Sequence, residues 1–421
     1  MHITTHLDLD VVALKGADEI SLLVELTAPT AASERTHLPR TLVVVLDRSG
    51  SMQGERLAGA QRALSDLVDR LDPQDRFGLV TFDNSVRLDI PAAPLVDKAQ
   101  AKQRIAAIRS GGSTDLSAGY LRGLQEARRS VDGAGGTVLL ISDGHANAGV
   151  VDPVRLAAVA AKAATGGIMT TTVGFGLGYD ERLLKAIAAG GNGSELFAEH
   201  ADQALTVIAG ELDGLLCQTA QAVSLLVRMS PACRRLKVIN ELTSVPTEDG
   251  VQIELGALHS AEVRRLVISF DVPGIAALGL TQIAELDFSW VELPALVQHS
   301  VTVPVCVNVV PGDQAAGRVP DPVVRTELAF LRTQQAKRAA AERMSAGDAG
   351  GAIAEMRAAG ALLRSAMAAA PAPMMHDLSE DLAAIDRLSA EAAAGDLSRA
   401  AKALSADTSR KSRRRGSGAR V

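Results

Sequence analysis

Three oxygen-bearing side chains alternate in the stretch that follows the apolar run 41–46: Asp47, Ser49 and Ser51. In an extended or looped backbone, this alternation sends the three side chains to the same side. Carboxylate and hydroxyl oxygens are hard ligands, which suit Mg²⁺, Mn²⁺ or Ca²⁺ better than zinc or copper. The stretch therefore predicts one wall of a divalent-cation site. The alternative is a serine- and glycine-rich turn that caps the next helix.

Two further segments place the same kind of side chain at the end of a strand or in a glycine-rich loop. Thr114 follows Gly111-Gly112-Ser113, and Asp143 comes soon after the apolar run 137–141. The carboxyl ends of parallel strands meet at one edge of a sheet, where ligands bind in the crevice. Both side chains are therefore predicted to lie beside the first three. Asp115 is predicted to cap the helix that begins after it.

The elements between these segments alternate between strand and helix. Such alternation is typical of an α/β fold with a doubly wound, mostly parallel sheet covered by helices on both faces. Gly174, Gly176 and Gly178 resemble part of a dinucleotide fingerprint. Their spacing is not G-x-G-x-x-G, so we predict a strand-to-helix loop there. Strands are predicted at 41–47, 77–82, 137–142, 168–174 and 195–198, and helices at 55–71, 97–109, 116–130, 152–164, 180–189 and 201–216.

Together, the three polar segments resemble the motifs of the von Willebrand factor A (VWA) family. Asp47-Arg48-Ser49-Gly50-Ser51 matches the family's D-x-S-x-S, and Thr114 and Asp143 follow in the family's order. The resemblance implies a Rossmann-like domain with a metal-ion-dependent adhesion site, of the bacterial cytoplasmic type. By the resemblance, Ser49 and Ser51 bind the metal directly, Thr114 directly or through water, and Asp47 and Asp143 mostly through water. The ion is expected to be Mg²⁺, with Mn²⁺ or Ca²⁺ as alternatives.

The regions on either side of this domain, which is predicted to span 38–216, indicate other architectures. Residues 1–37 contain two short strands, too few for a stable sheet, whereas 217–311 contain six strand candidates spaced like an antiparallel sandwich. We therefore predict that the VWA domain is inserted between two parts of one β-sandwich. The alternative is that the N-terminal strands extend the VWA sheet. Residues 321–405 predict a helical hairpin or bundle, and 406–421 a disordered basic tail.

The composition excludes several classes of protein. A formal net charge of −6 over 421 residues argues against a general nucleic-acid binder. The three cysteines are widely spaced and form no C-x-x-C motif, so neither a disulfide framework nor a zinc site is expected. The N-terminus lacks the pattern of a signal peptide, and no apolar run approaches the length of a membrane span. A cytoplasmic protein without a membrane segment is therefore predicted.

The residue types at the site favour binding over catalysis. Two aspartates roughly balance one divalent ion, so a metal held there would still attract a carboxylate from outside. A hydrolytic site needs a base or nucleophile beside the metal. His145 is the only candidate close in sequence to Asp143, and a lone loop histidine is more often simply solvated. No residue is predicted to be catalytic.

We therefore predict a non-enzymatic, metal-dependent interaction module whose partner protein presents an Asp or Glu side chain. The family resemblance adds an AAA+ ATPase of the MoxR type as a candidate partner, because VWA proteins often accompany such ATPases. The alternative function is a metal-assisted hydrolase or a chelatase-type enzyme subunit. The sequence does not identify the oligomeric state.

Overall fold

The computed structural model describes most of the chain and divides it into two compact units. One unit comprises Met1–Ala31, Thr219–Glu292 and Val297–Val421, and the other comprises Ala32–Gln218 with Leu293–Leu296. The predicted helix at 201–216 lies outside the described residues except at two positions. The described residues are 1–30, 39–131, 135–176, 178–199, 203, 208, 218–293, 295–412 and 415–416.

Three strands precede the α/β unit. They are β1 (His2–Leu7), β2 (Val11–Ala13) and β3 (Asp18–Thr27). The centre of β3 is a run of apolar and small residues that is almost wholly buried. A strand buried on both faces needs partners on both edges and cover on both sides. β1 pairs along one edge, and later parts of the chain supply the other partner and the cover.

A six-stranded sheet with helices on both faces forms the α/β unit. Its strand order is β6-β5-β4-β7-β8-β9, and only β6 runs antiparallel to its neighbour. The predicted fold class, with its mostly parallel sheet, is confirmed. The strands are β4 (Thr41–Asp47), β5 (Arg76–Phe82), β6 (Val86–Pro94), β7 (Gly136–Ser142), β8 (Ile168–Phe175) and β9 (Asn192–Ala198), and the helices are α1 (Glu55–Arg70), α2 (Lys98–Ala106), α3 (Leu116–Ser130), α4 (Pro153–Thr165) and α5 (Glu181–Gly190).

The edge strand β6 is an element that the sequence did not predict. It contains Pro91 and ends at Pro94. Proline cannot donate a hydrogen bond to a sheet ladder and is confined to edges, first positions or bulges. The pairing of β5 with β6 is irregular at two places, so the strand forms at an edge where its composition is tolerated.

The central strand β4 is held from both sides. Val44 packs with α1 on one face, and Val45 packs with α3 on the other, as period-two alternation requires. At Gly123 of α3, a Cβ atom would lie 2.2 Å from Val45 Cγ2. Helix and sheet therefore approach closely, and the end of β4 is a rigid place from which to project Asp47.

The strands after the α/β unit form two sheets with the N-terminal strands. One sheet has the order β1-β3-β14-β11 and the other β12-β13-β10-β15-β16-β2. β3 pairs antiparallel with β14, from Asp18 opposite Val272 to Thr27 opposite Val263. One apolar core contains residues of both sheets. The added strands are β10 (Gln218–Met229), β11 (Arg235–Val238), β12 (Thr243–Thr247), β13 (Gly250–His259), β14 (Val263–Val272), β15 (Gly279–Glu292) and β16 (Val297–Val310).

A C-terminal helical region completes this unit, as the sequence predicted. A one-turn helix, Gly312–Ala315, precedes four longer helices. Side chains of the first long helix share a core with Leu23 of β3 and Val267 of β14. The five domain boundaries given from the sequence stay predictions. The four helices are α6 (Pro322–Ser345), α7 (Ala349–Met367), α8 (Ala372–Ala393) and α9 (Leu397–Ser412).

Helical structure extends into the segment 406–421, for which the sequence predicts a disordered basic tail. Helix α9 continues to Ser412, and the two-residue strand Arg415–Gly416 pairs with β14. The reason is electrostatic. Lys411 bonds to Asp381 at 2.9 Å and to Asp407 at 3.0 Å, so charges that look solvated in the sequence are neutralised within the helical region.

Candidate metal centre

Asp47 stands at the end of β4 and organises the loop that follows it. It is fully buried. Its Oδ1 accepts a hydrogen bond from the Ser49 main-chain N–H at 2.8 Å. Its Oδ2 accepts one from Ser142 Oγ at 2.7 Å, at the end of the neighbouring strand β7. The carboxylate therefore ties two strand ends together and fixes the start of the loop.

Main-chain hydrogen bonds join this first loop to the glycine-rich loop. Gly50 N–H donates to Gly112 O at 3.1 Å, and Gly111 N–H donates to Arg48 O at 2.8 Å. Gly112 has a φ of +77°, and a Cβ atom there would lie 2.6 Å from Asn84 Oδ1. Glycine is needed at this position because an L side chain would be strained by the backbone and would clash.

Thr114 is held by the loop that follows β7. Its N–H donates to Asn147 Oδ1 at 2.9 Å, and its carbonyl oxygen accepts from the Asn147 N–H at 3.1 Å. These bonds use only the main chain of Thr114, so its hydroxyl is not needed for them. Asp115 accepts from the Ala118 N–H at 3.0 Å, so the prediction that it caps α3 is confirmed.

Three side-chain oxygens from two loops form a chain of short contacts. Ser49 Oγ and Ser51 Oγ share a hydrogen bond of 3.0 Å, and Ser51 Oγ donates to Asp143 Oδ1 at 2.7 Å. A Cβ atom on Gly144 would lie 3.3 Å from Ser51 Oγ and 3.8 Å from Thr114 Oγ1. The hydroxyls of Ser51 and Thr114 therefore face the same glycine. The structure brings the five residues predicted from the sequence to one end of the sheet.

Arg56 is a member of this cluster that sequence reasoning missed. Its Nη1 donates to Asp143 Oδ2 at 2.7 Å and to Ser51 O at 3.2 Å. Its guanidinium lies 3.4 Å from where a Cβ of Gly176 would be. A signal was present in the sequence, because an arginine in the first turn of a helix opposes the helix dipole. Such a residue needs a local anionic partner.

Burial dominates the electrostatics of Asp47. Loss of solvent raises the pKa of its carboxyl above the usual value. The hydrogen bonds from Ser142 and Ser49 act against this rise, and the nearby charge of Asp143 adds to it. A buried carboxylate of this kind is stabilised by any cation that approaches it.

The site is poor in the ligands that bind metals most strongly. Among the described residues, no group of three or more His, Cys, Asp or Glu side chains lies close enough together to hold a metal ion. A metal at this end of the sheet would therefore depend on hydroxyl oxygens as well as carboxylates. His145 is largely exposed, and its Nδ1 lies 3.8 Å from Asp180 Oδ2, in the arrangement of a solvated loop residue.

Comparison with known protein families shows which family the α/β unit is similar to. The family model of the von Willebrand factor type A domain matches residues 41–210, the span that holds all five predicted ligands and Arg56. The chain carries a VWA domain. The match begins at the first residue of β4 and ends beyond β9.

Relatives in sequence include two bacterial proteins and a group of animal proteins. The chain is 31% identical over 215 residues to YfbK of Escherichia coli (strain K12), covering 50% of this chain and 37% of that protein. It is 26% identical over 270 residues to sll0103 of Synechocystis, covering 61% and 64%. It is also 26% identical over 180 residues to human inter-alpha-trypsin inhibitor heavy chain H4, covering 40% and 19%. The chain thus spans less than two thirds of each of these relatives.

Two solved structures share the fold over most of the chain. The ArnB paralog VWA2 from Sulfolobus acidocaldarius matches with a TM-score of 0.65 at 15% identity, covering 96% of this chain and 98% of that one. A von Willebrand factor type A protein from Catenulispora acidiphila matches with a TM-score of 0.67 at 17% identity, covering 86% of each chain. At these identities the likeness shows a common fold.

Proposed function

We propose that this protein binds a partner protein through a divalent cation held at the VWA site. The observation that carries the proposal is the spacing of the oxygen chain. Mg²⁺ binds oxygens at about 2.0–2.1 Å in an octahedron, so neighbouring ligands lie about 2.8–3.0 Å apart. The separations of 3.0 Å between Ser49 and Ser51 and 2.7 Å between Ser51 and Asp143 are close to that edge.

The donor set suits a hard cation. Mg²⁺ is the expected ion, and Mn²⁺ and Ca²⁺ are the alternatives. When bound, the ion would supply a positive centre to which an outside anion can bind. Ser51 is exposed whereas Ser49 is buried, so the oxygen chain leads from the interior to the surface. The residues that would hold the ion are Asp47, Ser49, Ser51, Thr114 and Asp143.

The charges around the site favour an acidic partner. Two aspartates offset one divalent cation, and Arg56 adds a further positive charge beside Asp143. A loaded site therefore has surplus positive charge at an exposed rim. The proposed ligand is an Asp or Glu side chain of the partner, because a carboxylate matches both the charge and the oxygen preference of the ion.

A binding role suits the residues present better than catalysis does. His145 is the base candidate nearest to Asp143 in sequence, and its side chain is 73% exposed and directed to Asp180. A hydrolase needs a base or nucleophile within hydrogen-bond reach of the reacting atoms. The hydrolase and chelatase alternatives therefore receive no support from this geometry. The cytoplasmic location stays a prediction. Among the described residues, no helix has both the length and the apolar character needed to cross a membrane.

A MoxR-type AAA+ ATPase remains the proposed class of partner. The proposal rests on the family resemblance. It is compatible with a protein that presents a metal-dependent binding rim and relies on another protein for any ATP-driven step. The ATPase would dock with an exposed acidic side chain directed at the rim beside Ser51.

Calorimetric titration of Mg²⁺ into the metal-free protein tests the proposal. We expect binding by the wild type and a loss of at least about tenfold in affinity for Asp143→Asn, which removes one ligand charge. Asp115→Asn is the matched control, because it removes a charge from the adjacent loop and keeps a cap for α3. Equal Mg²⁺ binding by wild type and Asp143→Asn would overturn the assignment. Capture of partners from lysate in Mg²⁺ and in EDTA would then identify the protein that depends on the ion.

A further inference from the structure

A polar cavity lies at the edge of the same sheet. Its volume is about 210 Å³. Three arginines line it, Arg48 from the loop after β4, Arg87 from β6 and Arg104 from α2. Thr81 and Asp89 are the other polar residues of its wall. None of these residues is among the five proposed metal ligands.

The three guanidinium groups are only partly neutralised. Arg48 Nη2 lies 2.9 Å from Asp83 Oδ2, and Arg87 Nη2 lies 3.4 Å from Asp89 Oδ1. Arg104 instead donates from Nη1 to the main-chain oxygen of Asp89 at 2.9 Å. Within the described part of the chain, no ion pair to Arg104 is found, so the cavity has a surplus positive charge.

The donors of the cavity are suited to an oxyanion. The one carboxylate in its wall is already engaged, since Asp89 Oδ2 accepts from Thr81 Oγ1 at 2.5 Å and its other oxygen faces Arg87. In addition, Arg48 Nε is buried and has no hydrogen-bond acceptor among the described residues. Guanidinium forks bind carboxylates through paired N–H donors. The Nε–H of Arg48 and the charge of Arg104, unpaired within the described ranges, are therefore available to a ligand in the cavity.

The cavity adjoins the proposed metal site through the chain itself. Arg48 stands between Asp47 and Ser49, and consecutive Cα atoms are only about 3.8 Å apart. The main chain of Arg48 also receives the hydrogen bond that anchors the glycine-rich loop. The loop that carries Ser49 and Ser51 therefore also forms part of the cavity wall.

We propose that the cavity formed by Arg48, Arg87 and Arg104 is a carboxylate subsite. It takes a second acidic side chain from the same partner segment whose first Asp or Glu binds at the metal site. The identity of the partner segment rests on the proposed function above, whereas the subsite itself does not need the metal. Recognition then requires two acidic residues at a suitable spacing, which makes the site selective for acidic segments over isolated carboxylates.

The experiment uses the full chain and a fluorescent hexaglutamate peptide with blocked ends. Anisotropy is measured first in EDTA, where the metal site cannot contribute. We expect measurable binding by the wild type and affinity about fivefold weaker for Arg104→Gln, with partial recovery in Arg104→Lys because a cation is restored. Arg109→Gln is the matched control, because Arg109 lies beyond the same helix, outside the cavity, and bonds to the Ala106 and Ile108 carbonyls. Matching thermal melts establish that the variants are folded.

The outcomes separate the two proposals. No binding in EDTA, or an equal loss in Arg104→Gln and Arg109→Gln, would overturn the subsite, because the attraction would then be absent or merely general. The addition of Mg²⁺ tests the metal site independently. If Mg²⁺ adds no affinity while the effect of Arg104→Gln persists, the carboxylate subsite stands and the metal-dependent function fails. A gain in Mg²⁺ that Asp143→Asn abolishes supports both.

Discussion

Two clusters of buried carboxylates in this protein differ in how their negative charges are neutralised. In the helical region, Lys337 bonds to Asp381 at 2.7 Å and to Asp407 at 2.5 Å, and Lys411 bonds to the same two aspartates. Two cations thus meet two anions. Lys337 and Asp381 are wholly inaccessible to solvent.

In the VWA domain the balance is incomplete. Asp143 pairs with Arg56, whose side chain is 43% exposed, whereas Asp47 accepts hydrogen bonds from the neutral groups of Ser49 and Ser142. Hydroxyl groups fill the remaining positions, and they contribute no charge. The contrast indicates how a fold separates structural charges from functional ones. A structural cluster contains its own counterions, whereas the VWA cluster leaves one charge for a ligand to neutralise.

The largest loss of stability is expected from breaking the buried ion-pair cluster of the helical region. Lys337→Met removes the cation shared by Asp381 and Asp407, and uncompensated buried charges cost about 3–5 kcal/mol. Native-state hydrogen exchange of the α6 amides measures this loss as a lower opening free energy. Arg343→Met is the control, because its ion pairs with Asp348 and Glu355 are half-exposed. An equal decrease in opening free energy in the two variants would show that the buried cluster stabilises α6 no more than the half-exposed ion pairs do.

A smaller loss of stability is expected at acidic pH. Burial raises the pKa of Asp407, but the attraction of Lys337 and Lys411 outweighs it and the net pKa is lowered. A lowered carboxyl pKa gives stability that is present above the unfolded value, about 3.9, and lost as the pH falls through the folded value. The stability of the helical region against urea should therefore decrease below about pH 4. The decrease should be smaller in Asp407→Asn. Weakening that begins near neutral pH would contradict this assignment.

The Mg²⁺ affinity of the VWA cluster is expected to change when Arg56 is replaced. Arg56→Gln removes a positive charge beside Asp143, so Mg²⁺ affinity should rise about threefold to tenfold, limited by solvent screening. Calorimetry measures the change. Arg62→Gln, on the exposed side of the same helix, should leave it unaltered. A fall in affinity for Arg56→Gln would mean that the arginine acts mainly by holding the carboxylate in position.

The smallest effect is expected at Thr114. Its main chain is held by Asn147 without help from the hydroxyl. Thr114→Ala should therefore keep the melting temperature while weakening Mg²⁺ binding about twofold to threefold, because a neutral hydroxyl contributes less than a charged ligand. A lower melting temperature with unchanged Mg²⁺ affinity would assign the hydroxyl to structure instead.

The sequence predicted the parts of the VWA domain that depend on local patterns. The apolar run of β4 ends at Asp47, and the motif after it could be assigned without knowing the neighbours. The participation of Ser142 depends on sheet register, because Leu46 pairs with Ile141 and this places the next residues together. Asn147 acts through a loop whose approach no local pattern encodes, and the partner of Arg56, Asp143, lies 87 residues further along the chain.

The extension of α9 into the C-terminal segment was missed for the same physical reason. Lys411 lies in a polar, charged stretch that is typical of a solvated tail. Its partner Asp381 is 30 residues away in the chain. Charge composition predicts solubility and local repulsion well, but it does not reveal a buried counterion supplied by another helix.

The pairing of β3 with β14 determines when, during synthesis on the ribosome, the sheet that contains β3 can be completed. Thr27 pairs with Val263, so β3 emerges more than 200 residues before the strand that completes it. At about 5–20 residues per second, this delay lasts roughly 10–50 s. The α/β sheet, drawn from residues between 41 and 198, is complete within that interval. β1 is available to pair with one edge of β3 during this interval, but the edge that pairs with β14 stays open, and an open edge of a buried strand is a site for aggregation.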